Sequence, residues 1–212
     1  MKLTMKKLAL GLLGTLAAGS ALAAQYAPLH RYAFTWRPEM HYYTLEGDSD
    51  PIVSGIRAQW RHEGIVGYML NQMIPIPSGS NFVPLLSYQH RNPNGSSGHP
   101  TTQDFFLTAN PSEIPAGYGE WEFKGYLGAC LKNPTPETKP LYRYFNPSVR
   151  FRLPGFPDRS SAHFYTSDVN ELGGGAYGWY YEGIVCHIFK NDRGTASAGL
   201  NEFEAPDTEQ AE

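Results

Sequence analysis

The chain writes one stretch three times: WRHEGIV from Trp60, WEFKGYL from Trp121 and WYYEGIV from Trp179. A Pro-Leu step precedes each, at Pro28, Pro84 and Pro140, at intervals of 56 residues. Self-similarity at a fixed period marks supersecondary units that pack on one another, because a unit of this size cannot bury its own apolar face. After each Pro-Leu step comes a short run, LHRYAF, LLSYQH or LYRYFN. A second aromatic run follows: HYYT from His41, DFFL from Asp104, HFYT from His163. The Trp-bearing run closes the unit. All of these runs favour strands, since aromatic and β-branched side chains fit a pleated, half-buried surface.

Between the second and third runs the pattern breaks. Asn110 and Asp168 read as helix N-caps with Glu113 and Glu171 three residues on, and Asp50 reads as a cap followed by Pro51 at the first helical position. Two insertions rich in Pro, Gly and Ser, at 90–103 and 147–162, read as surface loops. The expected fold is mainly β: three pseudo-symmetric repeats (about 28–70, 84–131 and 140–189) forming one domain over 25–189. The architecture expected is β-trefoil-like, or an irregular threefold barrel with short rim helices. A propeller is disfavoured, because each unit holds too few strands for a blade.

The termini speak to location. Lys2, Lys6 and Lys7 precede an apolar run from Leu8 to Ala18, and Ala21-Leu22-Ala23 offers a small-x-small cleavage site. That is the pattern of a secretory signal peptide over residues 1–24, cleaved near Ala23/Ala24. No later run reads as a transmembrane segment, so the expected location is periplasmic or extracellular. Residues 190–212 turn polar and acidic and read as a disordered tail. With 17 basic against 20 acidic residues, the chain lacks the positive surface that a phosphate backbone calls for. Cys130 and Cys186 lie in two closing runs with side chains on the same strand face. In an oxidising compartment they pair, or they remain two buried thiols.

Polar residues recur at matching places. Units one and three hold Arg31, His41, Glu63 and Arg143, His163, Glu182; unit two holds Ser87, Asp104 and Lys124. With His neutral, each set carries one positive and one negative charge. Arg and Glu therefore read as a contact pair stapling first strand to third, because a half-buried pair left with one member carries a severe desolvation cost. The same sets also read as ligand-binding clusters.

Catalytic signatures are thin. His62-Glu63 begins like a zinc-protease motif, but Val66 stands where the second His belongs. GSSGH at 95–99 is not a nucleophile elbow. The acidic run at 46–50 lacks the EF-hand pattern, and no His spacing suits a metal. Glu63 and Glu182 occupy equivalent places, whereas a glycosidase pair needs two different environments. Neither a cofactor nor a metal is expected, and an enzyme is not.

LYRYFNP, AHFYTS and GWYYEGI in the third unit resemble the aromatic repeat of a family of unknown function found in secreted bacterial and fungal proteins. That family usually carries three copies and is often appended to secreted hydrolases. The resemblance runs from Pro28 to Phe189. The first unit departs at Trp36-Arg37-Pro38, where an Asn-Pro turn is expected, and the second departs most. What the resemblance implies is a secreted threefold module.

The 14 Tyr exceed what a core needs when only 17% of residues are charged. Tyr and Trp beside Arg, His and Glu suit stacking on sugar rings, with polar neighbours orienting the hydroxyls. The candidate ligand-binding residues are Arg31, His41, Tyr43, Glu63, Arg143, His163, Tyr165 and Glu182. Tyr43 and Tyr165 supply hydroxyls that Phe106 in unit two lacks. The expected function is a non-catalytic binding module for a glycan or cell-envelope polymer. The alternative is a protein-binding factor, such as an inhibitor of a secreted hydrolase, acting through the two long loops on a rigid scaffold. A hydrolase stands third.

Overall fold

The computed structural model describes residues 26–55, 59–71, 76, 79–90, 104–114, 121–149 and 160–192. Residues 1–24, where a signal peptide is expected, residues 193–212 of the expected tail, and the centres of both long loops lie outside the described residues. The fold is mainly β. Nine strands follow in order: β1 Tyr26–Phe34, β2 Arg37–Thr44, β3 Trp60–Leu70, β4 Phe82–His90, β5 Asp104–Thr108, β6 Trp121–Leu131, β7 Thr138–Val149, β8 Ser160–Thr166 and β9 Tyr180–Phe189. One short helix, α1, spans Pro51–Gly55, and brief 3-10 turns span Gly47–Ser49 and Val169–Glu171.

Each unit contributes three antiparallel strands with its opening strand in the middle. β1 pairs β2 and β3, β4 pairs β5 and β6, and β7 pairs β8 and β9. The closing strands then meet one another near their ends, with Leu70 opposite Ala129, Leu131 opposite His187, and Tyr68 opposite Phe189. All nine strands join one antiparallel sheet in this way.

The main core is drawn from all three units. Leu29, Leu85 and Leu141, the leucines of the three Pro-Leu steps, are fully buried together with Tyr43, Leu107 and Tyr165. No single three-stranded unit could keep these side chains from water, so their shared burial couples the units. Cys130 and Cys186 form a disulfide in this core, with Cα atoms 6.1 Å apart, tying β6 to β9. The open choice between a bridge and two thiols resolves in favour of the bridge.

At the other two meetings of closing strands, an apolar side chain lies on a glycine. A Cβ on Gly128 would come 3.4 Å from Met69 Cε and 2.9 Å from the Leu70 carbonyl oxygen; one on Gly67 would come 2.5 Å from Ile188 Cδ1. Glycine is required at both places for close approach.

Every closing strand also carries a β-bulge at the same place. Arg31 faces Gly64 and Tyr32 faces His62, so Glu63 is the extra residue. Lys124 and Glu182 are the extra residues in β6 and β9. The adjoining glycines adopt φ of 130°, 127° and 124° at Gly64, Gly125 and Gly183, a region L side chains avoid. The bulge re-aims the residue before each glycine.

One internal alignment is corrected. The sequence reading set DFFL beside HYYT and HFYT, so that Asp104 matched His41 and His163. In the sheet, His41 faces Ala33, Phe105 faces Gln89 and His163 faces Phe145. Phe105 therefore holds the His position, and Leu107 corresponds to Tyr43 and Tyr165. A one-residue slip in a strand exchanges its two faces. Asp104 thereby moves from cluster member to a different partner, described below.

Candidate functional site

The Arg-His-Glu sets converge in the folded chain. Arg31 Nε lies 3.0 Å from Glu63 Oε2, and His41 Nε2 lies 3.3 Å from the same oxygen. In the third unit, Arg143 Nε lies 2.8 Å from Glu182 Oε2, with His163 Nε2 at 3.7 Å. The Nε–H directions are poorly aligned with these oxygens, so both contacts act as charge pairs more than as hydrogen bonds. Bulging of Glu63 and Glu182 out of the ladder brings these carboxylates to the opening strand.

Each guanidinium has a second carboxylate, and the sequence reading missed it. Arg31 donates from Nη1 and Nη2 to Glu171 at 3.0 and 2.8 Å. Arg143 donates likewise to Glu113 at 3.2 and 2.5 Å. These are bidentate pairs, the geometry in which a planar guanidinium binds most strongly. Both cross from one unit to another. The capping reading of Glu113 and Glu171 is corrected: Asn110 and Asp168 do accept from Ser112 N and Asn170 N, but the glutamates reach across the junction. Asp50 is a true helix cap, accepting from Ile52 N at 2.8 Å.

Rings close the same junctions. Arg31 lies 4.7 Å above Phe164 and Arg143 lies 4.7 Å above Phe106. His41 meets Phe164 edge-on, His163 meets Phe106, and Phe105 meets Tyr42, so one ring contact recurs at three junctions.

Electrostatics follow from this geometry. Burial alone would raise the Glu63 carboxyl, yet His41, Arg61 and Arg31 together hold it down to about 2. Glu113 and Glu171 are also held below the usual carboxylate range: burial opposes this, and their arginines outweigh it. Burial works against charge on Arg31 and Arg143, but the carboxylates leave both above the ordinary arginine value.

The unit-two set does not form the expected substitute pair. Lys124 Nζ lies 3.6 Å from Glu122 on its own strand. Asp104 is buried in the third unit's company, accepting from Ser161 Oγ at 2.9 Å and His163 N at 2.8 Å, with His163 Nδ1 at 2.8 Å. Burial pushes its carboxyl up, and the His163 contacts and Ser161 pull it below the usual value.

Tyr43 and Tyr165 are buried in the core, with their hydroxyls engaged between units. Tyr43 Oη donates to the Tyr165 carbonyl at 2.8 Å and accepts from Tyr165 N at 2.7 Å. Tyr165 Oη does the same for Leu107, at 3.1 and 2.6 Å. Each hydroxyl stands in for a strand partner between units, satisfying backbone groups that would otherwise be buried unpaired. Their assignment as sugar-orienting hydroxyls is corrected on this ground.

Two grooves open at corresponding junctions. One of about 560 Å³, between units two and three, is lined by Asn110, Glu113, Lys132, Arg143, Glu182 and Ile184. The other, of about 320 Å³ between units one and two, has Glu46, Asn71, Ser87, Lys124 and Tyr126 at the matching places. Half-exposed Tyr126 lines the second groove, while Tyr181, the residue before Glu182, packs on part-buried Tyr142 and buried Tyr144. Tyr88, Phe123 and Tyr126 form one run with centroids 5.3 and 5.5 Å apart, and Tyr181 stands 6.2 and 5.4 Å from Tyr142 and Tyr144. Among the described residues no three His, Cys, Asp or Glu side chains gather as a metal site.

Residues 96–189 match the model of an uncharacterised family, Domain of unknown function (DUF5648). The match runs from ahead of β5 to the last residue of β9. No curated protein matches the chain, and no solved structure does.

Proposed function

We propose that the chain is an exported, non-catalytic binding module for carbohydrate, with its ligand seated at a unit junction. The observation that carries this reading is the junction groove flanked by exposed aromatic rings, with hydrogen-bonding side chains on its walls. Groove volumes of about 320 and 560 Å³ suit a small ligand or one end of a larger one. Aromatic faces supply apolar contact to sugar C–H groups, and the polar walls select among hydroxyl arrangements.

The module is a threefold array, trefoil-like in its connectivity and built from the aromatic repeat. Three observations support this: the same strand order in each unit, the bulge repeated in each closing strand, and the ring contact repeated at each junction. Export is supported by the leader-like residues 1–24 and by the disulfide, which persists in oxidising compartments. Among the described residues no helix is long and apolar enough to cross a membrane.

A second reading, a protein-binding factor, rests on Ile65 and Ile184, about half exposed at matching positions after the bulges. A glycan array followed by calorimetry on any hit separates the two. Binding of a defined saccharide in the folded protein is expected; an array with no hits, with capture of a protein from envelope extract, would replace the carbohydrate reading with the second.

A further inference from the structure

Two junctions of the molecule are closed by the same device and one is not. Arg31 crosses to Glu171 and Arg143 crosses to Glu113. At the third junction, between units one and two, Ser87 and Ser49 occupy the corresponding places. The strand register fixes the first: Ser87 faces Gly125 as Arg31 faces Gly64 and Arg143 faces Gly183. The turn geometry fixes the second. Ser49 N donates to Glu46 O at 3.3 Å, as Glu113 N does to Asn110 O at 3.1 Å and Glu171 N to Asp168 O at 3.2 Å. Both members of the pair are missing together, and the closing-strand carboxylate is replaced by Lys124.

The junction that lacks the guanidinium and its carboxylate keeps the smaller of the two grooves, but with no guanidinium–carboxylate pair across it. The groove of about 320 Å³ lies there, walled by Ser87, Lys124, Asn71 and Glu46, with half-exposed Tyr126 at its rim. In the larger groove, the polar atoms of Arg143, Glu113 and Glu182 are already engaged with one another. We propose that the junction between units one and two is the saccharide subsite, and that it takes a neutral pyranose; the other two junctions act as staples. This rests on the carbohydrate reading above.

The lining selects the ligand class. Lys124 donates, the Glu46 carboxylate accepts, and Ser87 and Asn71 do both, which matches hydroxyls that must donate and accept in turn. A sugar acid would meet two carboxylates, Glu46 and Asp50, against one cation, Lys124, which already lies 3.6 Å from Glu122. Asp50 is already committed to Tyr42 Oη at 2.9 Å and the α1 backbone, so it offers an anion only repulsion. The aromatic run from Tyr126 through Phe123 to Tyr88 leads away from the groove along β6 and β4, giving further rings of an oligosaccharide a surface to stack on.

The test uses ligand-observed NMR with a panel of neutral di- and trisaccharides of glucose, mannose and N-acetylglucosamine, and with galacturonate oligomers as the acidic counterpart. In the full chain, Tyr126→Ala should weaken neutral saccharide binding by about tenfold, the scale of one aromatic contact. The pair Ser49→Glu with Ser87→Arg should abolish binding by rebuilding the staple, without lowering the melting temperature. Tyr177→Ala, which removes a fully exposed ring elsewhere, should leave affinity unchanged. If no saccharide binds the parent, the carbohydrate reading itself falls. If a saccharide binds but Tyr126→Ala and the rebuilt staple both leave its affinity unchanged, the reading stands and this placement is overturned. Tighter binding of galacturonate would overturn the neutral class. Should the double substitution fail to fold, Tyr126→Ala at its exposed position still decides.

Discussion

At the scale of single residues, the molecule is organised by guanidiniums that each serve two carboxylates. The staple between Arg143 and Glu182 was legible in the sequence because Arg and Glu are lost together in unit two, as Ser87 and Lys124, although Asp104 does not belong to that set. Its second arm was not, because Glu113 and Glu171 sit in a local pattern that capping explains equally well. Removing Glu113 leaves Arg143, which is only 13% exposed, short of a partner. Arg143→Leu and Glu113→Leu should each destabilise by about 1–4 kcal/mol, and the double change by less than their sum, with a coupling of about 0.5–3 kcal/mol in urea unfolding. Additive losses would show that the pair is idle. Acid should act through the same groups. The Glu63 carboxyl sits near 2 when folded against an ordinary 4.5, so its contribution is complete above pH 4.5 and is lost as pH falls toward 2. Glu113 and Glu171 shift in the same direction. The urea midpoint should therefore drop between pH 5 and 2.5, and Glu63→Gln should show a shallower drop.

At the scale of elements, strand existence was readable and strand register was not. The aromatic pair of DFFL imitates the central pairs of HYYT and HFYT, so composition favoured the wrong residue by one. A better anchor was present in the turn that follows. Thr44, Thr108 and Thr166 each accept, through Oγ1, the backbone N–H two residues on, at 3.1, 2.9 and 3.0 Å. Aligning on those threonines puts Phe105 with His41 and pairs Ser49 with Glu113 and Glu171. The burial of Tyr43 and Tyr165 was hidden for a related reason: alternation assigns a strand's faces, but only the neighbouring unit decides which face is covered. Closing strands are further constrained where they meet. Gly128→Ala would press a methyl against the Leu70 carbonyl oxygen, backbone that cannot rotate aside. A cost of about 1–3 kcal/mol is expected. Gly55→Ala in α1, where no atom lies within 4 Å of the added Cβ, is the control and should be close to neutral. Equal effects of the two changes on the melting temperature would show that close approach is not what holds glycine at 128.

At the scale of the whole molecule, the question is whether the covalent link or the shared core makes the three units one cooperative body. The disulfide joins only β6 to β9, closing a loop of 56 residues. Where the other closing strands meet, the bridge pairs Leu70–Ala129 and Tyr68–Phe189 and the packing of Met69 near Gly128 and Ile188 on Gly67 join them with no covalent link. The core drawn from β1, β4 and β7 also needs all three units at once. Cooperativity should therefore survive without the bridge, while stability should not be fully retained. A loop of this length is worth about 4 kcal/mol through the entropy of the unfolded chain. Cys130→Ala with Cys186→Ala should accordingly lower the urea midpoint and steepen the transition, because the unlinked chain exposes more surface on unfolding. A single transition, followed together by tyrosine fluorescence and far-ultraviolet circular dichroism, is the expected result. Two separated transitions would mean that the units fold independently and that the bridge, and not the common core, holds them in register.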